Sequence, residues 1–186
     1  SAPVPGGGSI SALNGAIATA LTEMVANLTI GKKKYIDVEA EMEDIRSRLE
    51  SLRQELVELT DRDAKAFEPL AKAYGLPKET EEQRIEKERV MEKALYEASV
   101  VPLQIMKTVF RVMGEKGSRL AVSDVGVAVL FARAALEGAS LNIYINTRLM
   151  KNREQAERLN KESDELIAEA GRLQEKIYTG VLAKIR

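Results

Sequence analysis

Residues 38–70 read VEAEMEDIRSRLESLRQELVELTDRDAKAFEPL. Apolar residues recur here at alternating intervals of four and three: Val38, Met42, Ile45, Leu49, Leu52, Leu56 and Leu59. This heptad spacing predicts one long amphipathic helix that packs along another helix, in the same chain or in a second copy. The next position of the repeat is Asp63, and Ala66 and Leu70 then resume the apolar row. A single carboxylate interrupts an otherwise apolar seam.

Two stretches rich in Ala and Gly flank this seam. Residues 10–28 and 125–150 predict helices whose small side chains let neighbouring helices approach closely. Ser9 is the expected N-cap of the first, and Ser123 with Asp124 the expected cap of the second. The Pro and Gly residues just before Ser9 are expected to lie outside the helix.

The remaining elements are also helical. Thr80 and Gln83 have the spacing of a capping box at the start of a helix. Pro102 is expected to kink or restart that helix, and Gly114 with Gly117 predicts a loop. No stretch has a convincing strand pattern. The sequence therefore predicts an all-α fold, a single domain over residues 1–186, built as an antiparallel bundle of about six or seven helices.

Composition excludes several classes of function. The 28 Lys and Arg against 29 Asp and Glu give a net charge of −1, which argues against general nucleic-acid binding. The chain has no Cys and no His, which excludes thiolate nucleophiles, catalytic triads and the usual zinc sites. Catalysis, if present, must rely on carboxylates, lysines, tyrosines, hydroxyls or backbone amides. With no apolar run suited to a membrane span, we expect a cytoplasmic protein.

Four motifs occur in a fixed order along the chain. They are PGGGS at 5–9, MVANLT at 24–29 followed by GKKKY at 31–35, DAKAF at 63–67 and SDVGVA at 123–128. With these motifs the chain resembles the formiminotransferase-cyclodeaminase C-terminal family, which includes stand-alone methenyltetrahydrofolate cyclohydrolases. NLTIGKKKY at 27–35 and AYGLPK at 73–78 are most similar to the bacterial cyclohydrolase branch.

The resemblance implies a folate-dependent enzyme that works as a homodimer. The expected reaction is hydrolysis of 5,10-methenyltetrahydrofolate to 10-formyltetrahydrofolate, with a tetrahydrofolate derivative as substrate and carrier and neither metal nor redox cofactor. Ring closure of formiminotetrahydrofolate with release of ammonia is the alternative, and a non-catalytic helical adaptor is the third. The ligand is expected to be a polyglutamylated folate, with no nucleic-acid or membrane partner.

Three residues are predicted to be catalytic. Burial of Asp63 in the seam should raise the pKa of its carboxyl group and suit it to proton transfer; alternatively it pairs with Lys or Arg, or bonds to a backbone end. Asp124, at the start of a helix, is predicted to stabilise the cationic substrate or to orient the pterin; alternatively it only caps the helix. Lys33 is predicted to polarise the reacting centre, unless the lysine run is an ordinary solvated surface.

The predicted substrate-binding residues are those at the two helix starts, in the lysine run and on the second small-residue helix. Glycines before a helix offer backbone amides to an anion and let a flat ligand approach, although a flexible turn also explains them. The lysines are suited to bind the carboxylates of a glutamate tail. Asn142 and Asn146 could form hydrogen bonds either to the edges of the pterin or between helices. The set is Gly6, Gly7, Gly8, Ser9, Lys32, Lys34, Tyr35, Ser123, Asn142 and Asn146.

Overall fold

The protein is described by a computed structural model over residues 4–114 and 121–186. Within these ranges it forms five α-helices and one short 3-10 helix, with no strand. The helices are α1 Gly7–Asn27, α2 Glu39–Tyr74, α3 Glu81–Gly114, α4 Val122–Thr147 and α5 Arg153–Ile185, and the 3-10 helix spans Lys33–Val38. The all-α prediction is confirmed.

The helix number differs from the predicted six or seven because α3 runs without interruption through Pro102. Proline in a helix interior removes a hydrogen bond and costs about 3 kcal/mol. Its neighbours Val101, Leu103, Ile105 and Met106 are all buried, so tertiary packing holds the helix together across this position. The predicted loop at Gly114 and Gly117 falls largely outside the described residues.

The heptad seam of α2 forms the centre of the core. Its positions from Met42 to Leu59 are 5% exposed or less, as the spacing predicts. Val38, the first position of the repeat, is wrong as a core residue, because it ends the 3-10 helix and is exposed. The small-residue helix α1 lies between α2 and α4, while α3 packs on α2 and α4, and α5 covers α3 and α4.

The predicted helix caps have mixed outcomes. The capping box is confirmed, since the Gln83 N–H donates to Thr80 Oγ1 and the Thr80 N–H to Gln83 Oε1, each at 3.2 Å. Ser9 is not an N-cap, because α1 begins at Gly7 with Gly6 as its cap. Gly7 and Gly8 are therefore helical, contrary to expectation.

The start of α4 also differs from the prediction. The helix begins at Val122, with Ala121 as its N-cap and no side-chain cap hydrogen bond. Ser123 and Asp124 consequently lie inside the first turn and are not its N-cap, contrary to expectation. The acidic side chain of Asp124 still lies where the helix dipole favours negative charge.

Candidate active site

Asp63 lies against the first turn of α1. Ser9 Oγ donates to Asp63 Oδ2 at 2.9 Å, and the Ser9 backbone N–H donates to the same carboxyl group. The backbone amides of a first helical turn lack intrahelical partners, and one of them is satisfied here by a side chain 54 positions away. Ser9 therefore positions the carboxylate instead of capping its own helix.

This contact depends on glycine at position 8. A Cβ atom added to Gly8 would lie 2.2 Å from Asp63 Oδ1, which is too close for any side chain. At Gly7 the added Cβ would lie 3.1 Å from Asn142 Oδ1. The glycines thus allow α2 and α4 to bring polar side chains directly against the α1 backbone. Their role is close approach between helices, as well as exposure of backbone amides.

Burial raises the pKa of the Asp63 carboxyl group above 3.8, and this effect outweighs the two hydrogen bonds from Ser9, which lower it. The raised pKa confirms the expectation from its seam position. No Lys or Arg pairs with Asp63 within the described ranges, so the ion-pair alternative does not hold there. Its hydrogen bond to a backbone end does occur, and the carboxyl group combines that bond with access to a cleft.

The cleft beside Asp63 has a volume of about 210 Å³. It lies between the start of α1, the C-terminal third of α2, the middle of α3 and the C-terminal part of α4. Drug-sized ligands usually occupy roughly 300–1,000 Å³, so this cleft suits one ring system of a larger molecule. Its lining residues are Val4, Gly6, Gly7, Asp63, Phe67, Ala98, Asn142, Ile145 and Asn146.

The two asparagines of the cleft, Asn142 and Asn146, differ in their side-chain hydrogen bonds. Asn142 Nδ2 donates to the Gly138 carbonyl at 3.0 Å, so its amide is partly engaged within α4. Asn146 is 8% exposed, and its side chain forms no hydrogen bond to another described residue. No buried side-chain N or O atom of the described residues lacks a hydrogen-bond partner, so the unbonded amide of Asn146 is accessible from the cleft that it lines. Asn146 is therefore the better placed of the two to bond a ligand there.

A second group of predicted site residues lies at the opposite end of α1 and α4. Gly7 approaches Asn142 and Gly138 approaches Ser11, so the two helices run antiparallel. The 3-10 helix with Lys33 follows the C-terminal end of α1, and Asp124 lies at the N-terminal end of α4. At 1.5 Å per residue, Asp124 is about 27 Å along α4 from Asn142.

Within one chain this group does not meet Asp63. It comprises Lys32, Lys33, Lys34, Tyr35, Ser123 and Asp124, and its three lysines are exposed. The Lys34 Nζ lies 5.6 Å from the centre of the Tyr35 ring, which suits a cation–π contact. Of the predicted residues, the Asp63 cleft thus contains Gly6, Gly7, Asn142 and Asn146, with Gly8 and Ser9 touching its carboxylate.

Several lining residues were not predicted from the sequence. Phe67 is four residues after Asp63 on α2, and that spacing alone places both side chains on one face of the helix. Ile145 similarly neighbours the predicted Asn146. Val4 and Ala98 carry no comparable signal, because only the tertiary packing brings them to the cleft.

Between the two ends, α1 and α4 present an exposed apolar surface, here called the α1/α4 face. Asn14 Nδ2 donates to the Phe131 carbonyl at 3.1 Å and joins the two helices across it. The most exposed members are Leu141 at 68% and Ile145 at 57%, and Ile145 also borders the cleft. The face consists of Ile10, Leu13, Ile17, Met24, Val127, Leu130, Phe131, Leu141 and Ile145.

No described helix is long and apolar enough to cross a membrane. The α1/α4 face combines nine exposed apolar side chains from two helices. Contiguous apolar patches of this kind are typical of protein–protein contacts.

The fold and cleft define an all-α protein with a candidate acid–base site at the start of a glycine-rich helix. The chain belongs to the formiminotransferase-cyclodeaminase family, whose profile it matches over residues 1–165. The family membership expected from the four motifs is confirmed.

Relatives of two kinds were found. A methenyltetrahydrofolate cyclohydrolase of Methylorubrum extorquens is 42% identical over 191 aligned positions, which cover 100% of this chain and 92% of the relative. The formimidoyltransferase-cyclodeaminase of Mus musculus is 29% identical, and the aligned region covers 89% of this chain but 32% of that protein. The crystal structure of formiminotetrahydrofolate cyclodeaminase from Thermotoga maritima superposes with a TM-score of 0.78 at 31% identity, covering 97% and 90% of the two chains.

Proposed function

We propose that this chain is a methenyltetrahydrofolate cyclohydrolase that converts 5,10-methenyltetrahydrofolate to 10-formyltetrahydrofolate. The observation that carries the proposal is the 42% identity to a protein of that activity along the full chain. The Asp63 cleft supplies a suitable site, because it combines a carboxylate of raised pKa with amides at a helix start. A cytoplasmic location belongs to the same proposal, and no described helix could cross a membrane.

In this mechanism Asp63 is the general base. As the water oxygen bonds to the cationic amidine carbon, the Asp63 carboxylate takes a proton from the water, and a neutral carbinolamine forms. The bond from that carbon to N5 then breaks, N5 takes a proton, and the hydroxyl loses one to become the formyl carbonyl. Protonated Asp63 is within the same cleft and can return its proton to N5, while the carbinolamine hydroxyl releases one to solvent.

In this proposal the pterin ring of the substrate lies in the Asp63 cleft. Phe67 and Ile145 offer apolar contacts to the ring faces, and the Asn146 amide offers a donor and an acceptor to its edge. The cleft of about 210 Å³ is too small for a whole folate. The benzoyl and glutamyl parts of the substrate must therefore extend outside it.

We also propose a homodimer formed through the α1/α4 face. Burial of this face in a second copy would remove its large apolar side chains from water, at roughly 25 cal/mol for each Å². A two-fold axis near Ile17, in the plane of the face and perpendicular to the helices, makes the interface self-complementary. The resulting antiparallel arrangement sets the Asp63 end of one copy beside the Lys33 and Asp124 end of the other.

This arrangement supports the predicted roles of the distant residues. Asp124 of the second copy would stabilise the cationic amidine carbon, and Lys33 would polarise the reacting centre, as predicted from the sequence. The charges are complementary, since the lysine run would face a cleft that contains a carboxylate. Two copies would form two such sites.

Cyclodeaminase activity is the second candidate, and it is favoured by the superposition on the Thermotoga maritima enzyme. The two reactions are separated by following the methenyl absorbance of one substrate and ammonia release from formiminotetrahydrofolate. Bleaching of the methenyl absorbance well above the buffer rate supports the cyclohydrolase. Ammonia release without bleaching overturns that proposal in favour of the cyclodeaminase, and silence in both assays favours a non-catalytic adaptor.

A further inference from the structure

A second cavity lies on the same side of the bundle as the Asp63 cleft. It has a volume of about 300 Å³ and is formed by the α2–α3 connection, the first half of α3 and the α4–α5 connection. Its walls are basic and its floor is apolar, with two carboxylates also present. The lining residues are Lys78, Arg84, Lys87, Glu88, Met91, Glu92, Leu95, Leu149 and Lys151.

The second cavity and the Asp63 cleft follow the same seam between α3 and α4. On α3, Leu95 lines the cavity and Ala98 the cleft, and both lie on one face of the helix. Asn146, in the last turn of α4, lines the cleft, and Leu149, in the connection that follows, lines the cavity. On α3 the two lining residues are separated by about 4.5 Å along the helix, so a chain leaving the cleft along the seam enters the cavity.

The positive charge of this cavity is available to a ligand. Lys87 Nζ donates to the carbonyls of Tyr74 and Leu76 at 2.8 and 2.7 Å, and these neutral partners leave its charge uncompensated. Lys78 has no side-chain partner within the described part of the chain. Arg84 is paired with Glu81, but more than half of each side chain is exposed, where such pairs exchange readily.

The two acidic groups of the cavity differ in how far their charge is compensated. Glu92 accepts the backbone N–H groups of Lys151 and Asn152 at 2.6 and 2.9 Å, which holds the α4–α5 connection. Glu88 pairs with Lys151 Nζ at 2.5 Å. Glu92 keeps its negative charge, because backbone N–H groups are neutral. The four cations of the lining still outnumber its two carboxylates, and Lys78, Arg84 and Lys87 are left for an anionic ligand at this end of the seam.

We propose that this cavity binds the glutamate tail of a polyglutamylated folate whose pterin ring occupies the Asp63 cleft. The inference rests on the proposed function and assigns the tail a site away from the Lys32–Lys34 run. Each added γ-linked glutamate brings one carboxylate, which Lys78, Arg84 and Lys87 can bind. The methylene groups between the carboxylates pack on Met91, Leu95 and Leu149, the apolar floor.

The test compares the KM of the monoglutamyl and pentaglutamyl forms of 5,10-methenyltetrahydrofolate. The wild-type protein should have a KM about fivefold lower for the pentaglutamate, the size expected for a few exposed charge pairs. In the double variant Lys78→Gln/Arg84→Gln this ratio should fall below about twofold. Lys87 is left intact because it holds the end of α2 through the Tyr74 and Leu76 carbonyls.

Two matched double variants serve as controls. Lys93→Gln/Lys161→Gln removes two exposed charges of α3 and α5 outside both cavities and should keep the wild-type ratio. Lys32→Gln/Lys34→Gln removes two charges from the lysine run, the tail site predicted from the sequence. On the present proposal it also keeps the ratio.

The outcomes separate this inference from the proposed function. If the wild-type protein turns over both substrates with nearly equal KM values, the inference is overturned and the proposed function stands. The inference is also overturned if the preference for the pentaglutamate is lost in Lys32→Gln/Lys34→Gln and kept in Lys78→Gln/Arg84→Gln. Absence of bleaching with both substrates contradicts the proposed function. In that case calorimetric titration with the two forms still decides the inference, because equal affinities for the wild-type protein overturn it.

Discussion

The two ends of the α1–α4 pair are built in different ways. At one end, glycines of α1 admit Asp63 and Asn142 to the helix backbone, and a cleft is formed beside a carboxyl group whose pKa burial raises. At the other end, Lys32, Lys33 and Lys34 are exposed, and Asp124 lies in the first turn of α4. The first end has the features of an acid–base site, whereas the second is a surface with exposed charged side chains.

One copy of the chain therefore brings together only part of the predicted site. The motifs of the family are present at both ends, about 27 Å apart along α4. An exposed apolar face connects the ends, and an antiparallel second copy on that face would bring opposite ends together.

The largest effect is expected at Asp63. Asp63→Asn removes the general base and should lower kcat by roughly 10²- to 10⁴-fold, because general bases contribute about that much. Methenyl bleaching measures the rate, and circular dichroism confirms that the variant is folded. Asp61→Asn, an exposed carboxylate on the same helix, is the matched control and should keep kcat. Equal rates in both variants would remove Asp63 from the mechanism.

A smaller effect is expected at Gly8. Gly8→Ala places a Cβ at 2.2 Å from Asp63 Oδ1 and must displace the carboxylate or the start of α1. A displacement of about 1 Å at a reacting group costs roughly 10²-fold in rate. Gly180→Ala meets nothing within 4 Å and should keep activity with slightly higher thermal stability. Full activity in Gly8→Ala would show that the close approach is not required.

The role of the α1/α4 face as the dimer interface is tested by introducing a charged residue there. Leu141→Asp puts a carboxylate at the most exposed apolar position of the face and should yield monomers in sedimentation, with activity reduced about tenfold or more. Ile85→Asp changes a residue of similar exposure on α3, outside the face, and should remain a dimer. A Leu141→Asp protein that stays dimeric places the interface elsewhere.

The smallest expected effect is the dependence of kcat and of the free energy of unfolding on pH. A base must be ionised, so kcat should fall as the pH is lowered through an apparent pKa above 3.8. Because the folded state holds the Asp63 proton more tightly than the unfolded chain, the stability that this group contributes is lost as the pH rises through 3.8 and its folded pKa. Asp63→Asn should remove this component from a plot of the free energy of unfolding against pH. An unchanged plot would contradict the assignment.

Much of the fold was predictable because it follows from periodicity. The heptad spacing of α2 identified Met42 to Leu59 as core, and Thr80 with Gln83 identified the start of α3. The helix through Pro102 was not predictable, since its stability comes from buried neighbours and not from local preference. The N-cap at Gly6 was missed for a related reason, as the Ser9 side chain has a distant partner in Asp63.

The candidate site was predictable from the sequence where a residue type differed from the pattern around it. Asp63 interrupts an apolar row, and that contradiction was sufficient to single it out. Phe67 could have been found from its spacing to Asp63, whereas Val4 and Ala98 depend on helix packing. The separation of Lys33 and Asp124 from Asp63 was not visible, because motif order along a chain carries no information on distance in the fold.

The most direct test of the split site is complementation between inactive chains. Asp63→Asn and Asp124→Asn proteins, differently tagged, are unfolded and refolded together, and mixed dimers are verified by capture through both tags. If one site uses Asp63 of one copy and Asp124 of the other, half of the dimers are mixed and each has one intact site. Methenyl bleaching should then recover to about a quarter of the wild-type rate. Verified mixed dimers with no recovered activity would contradict the composite site.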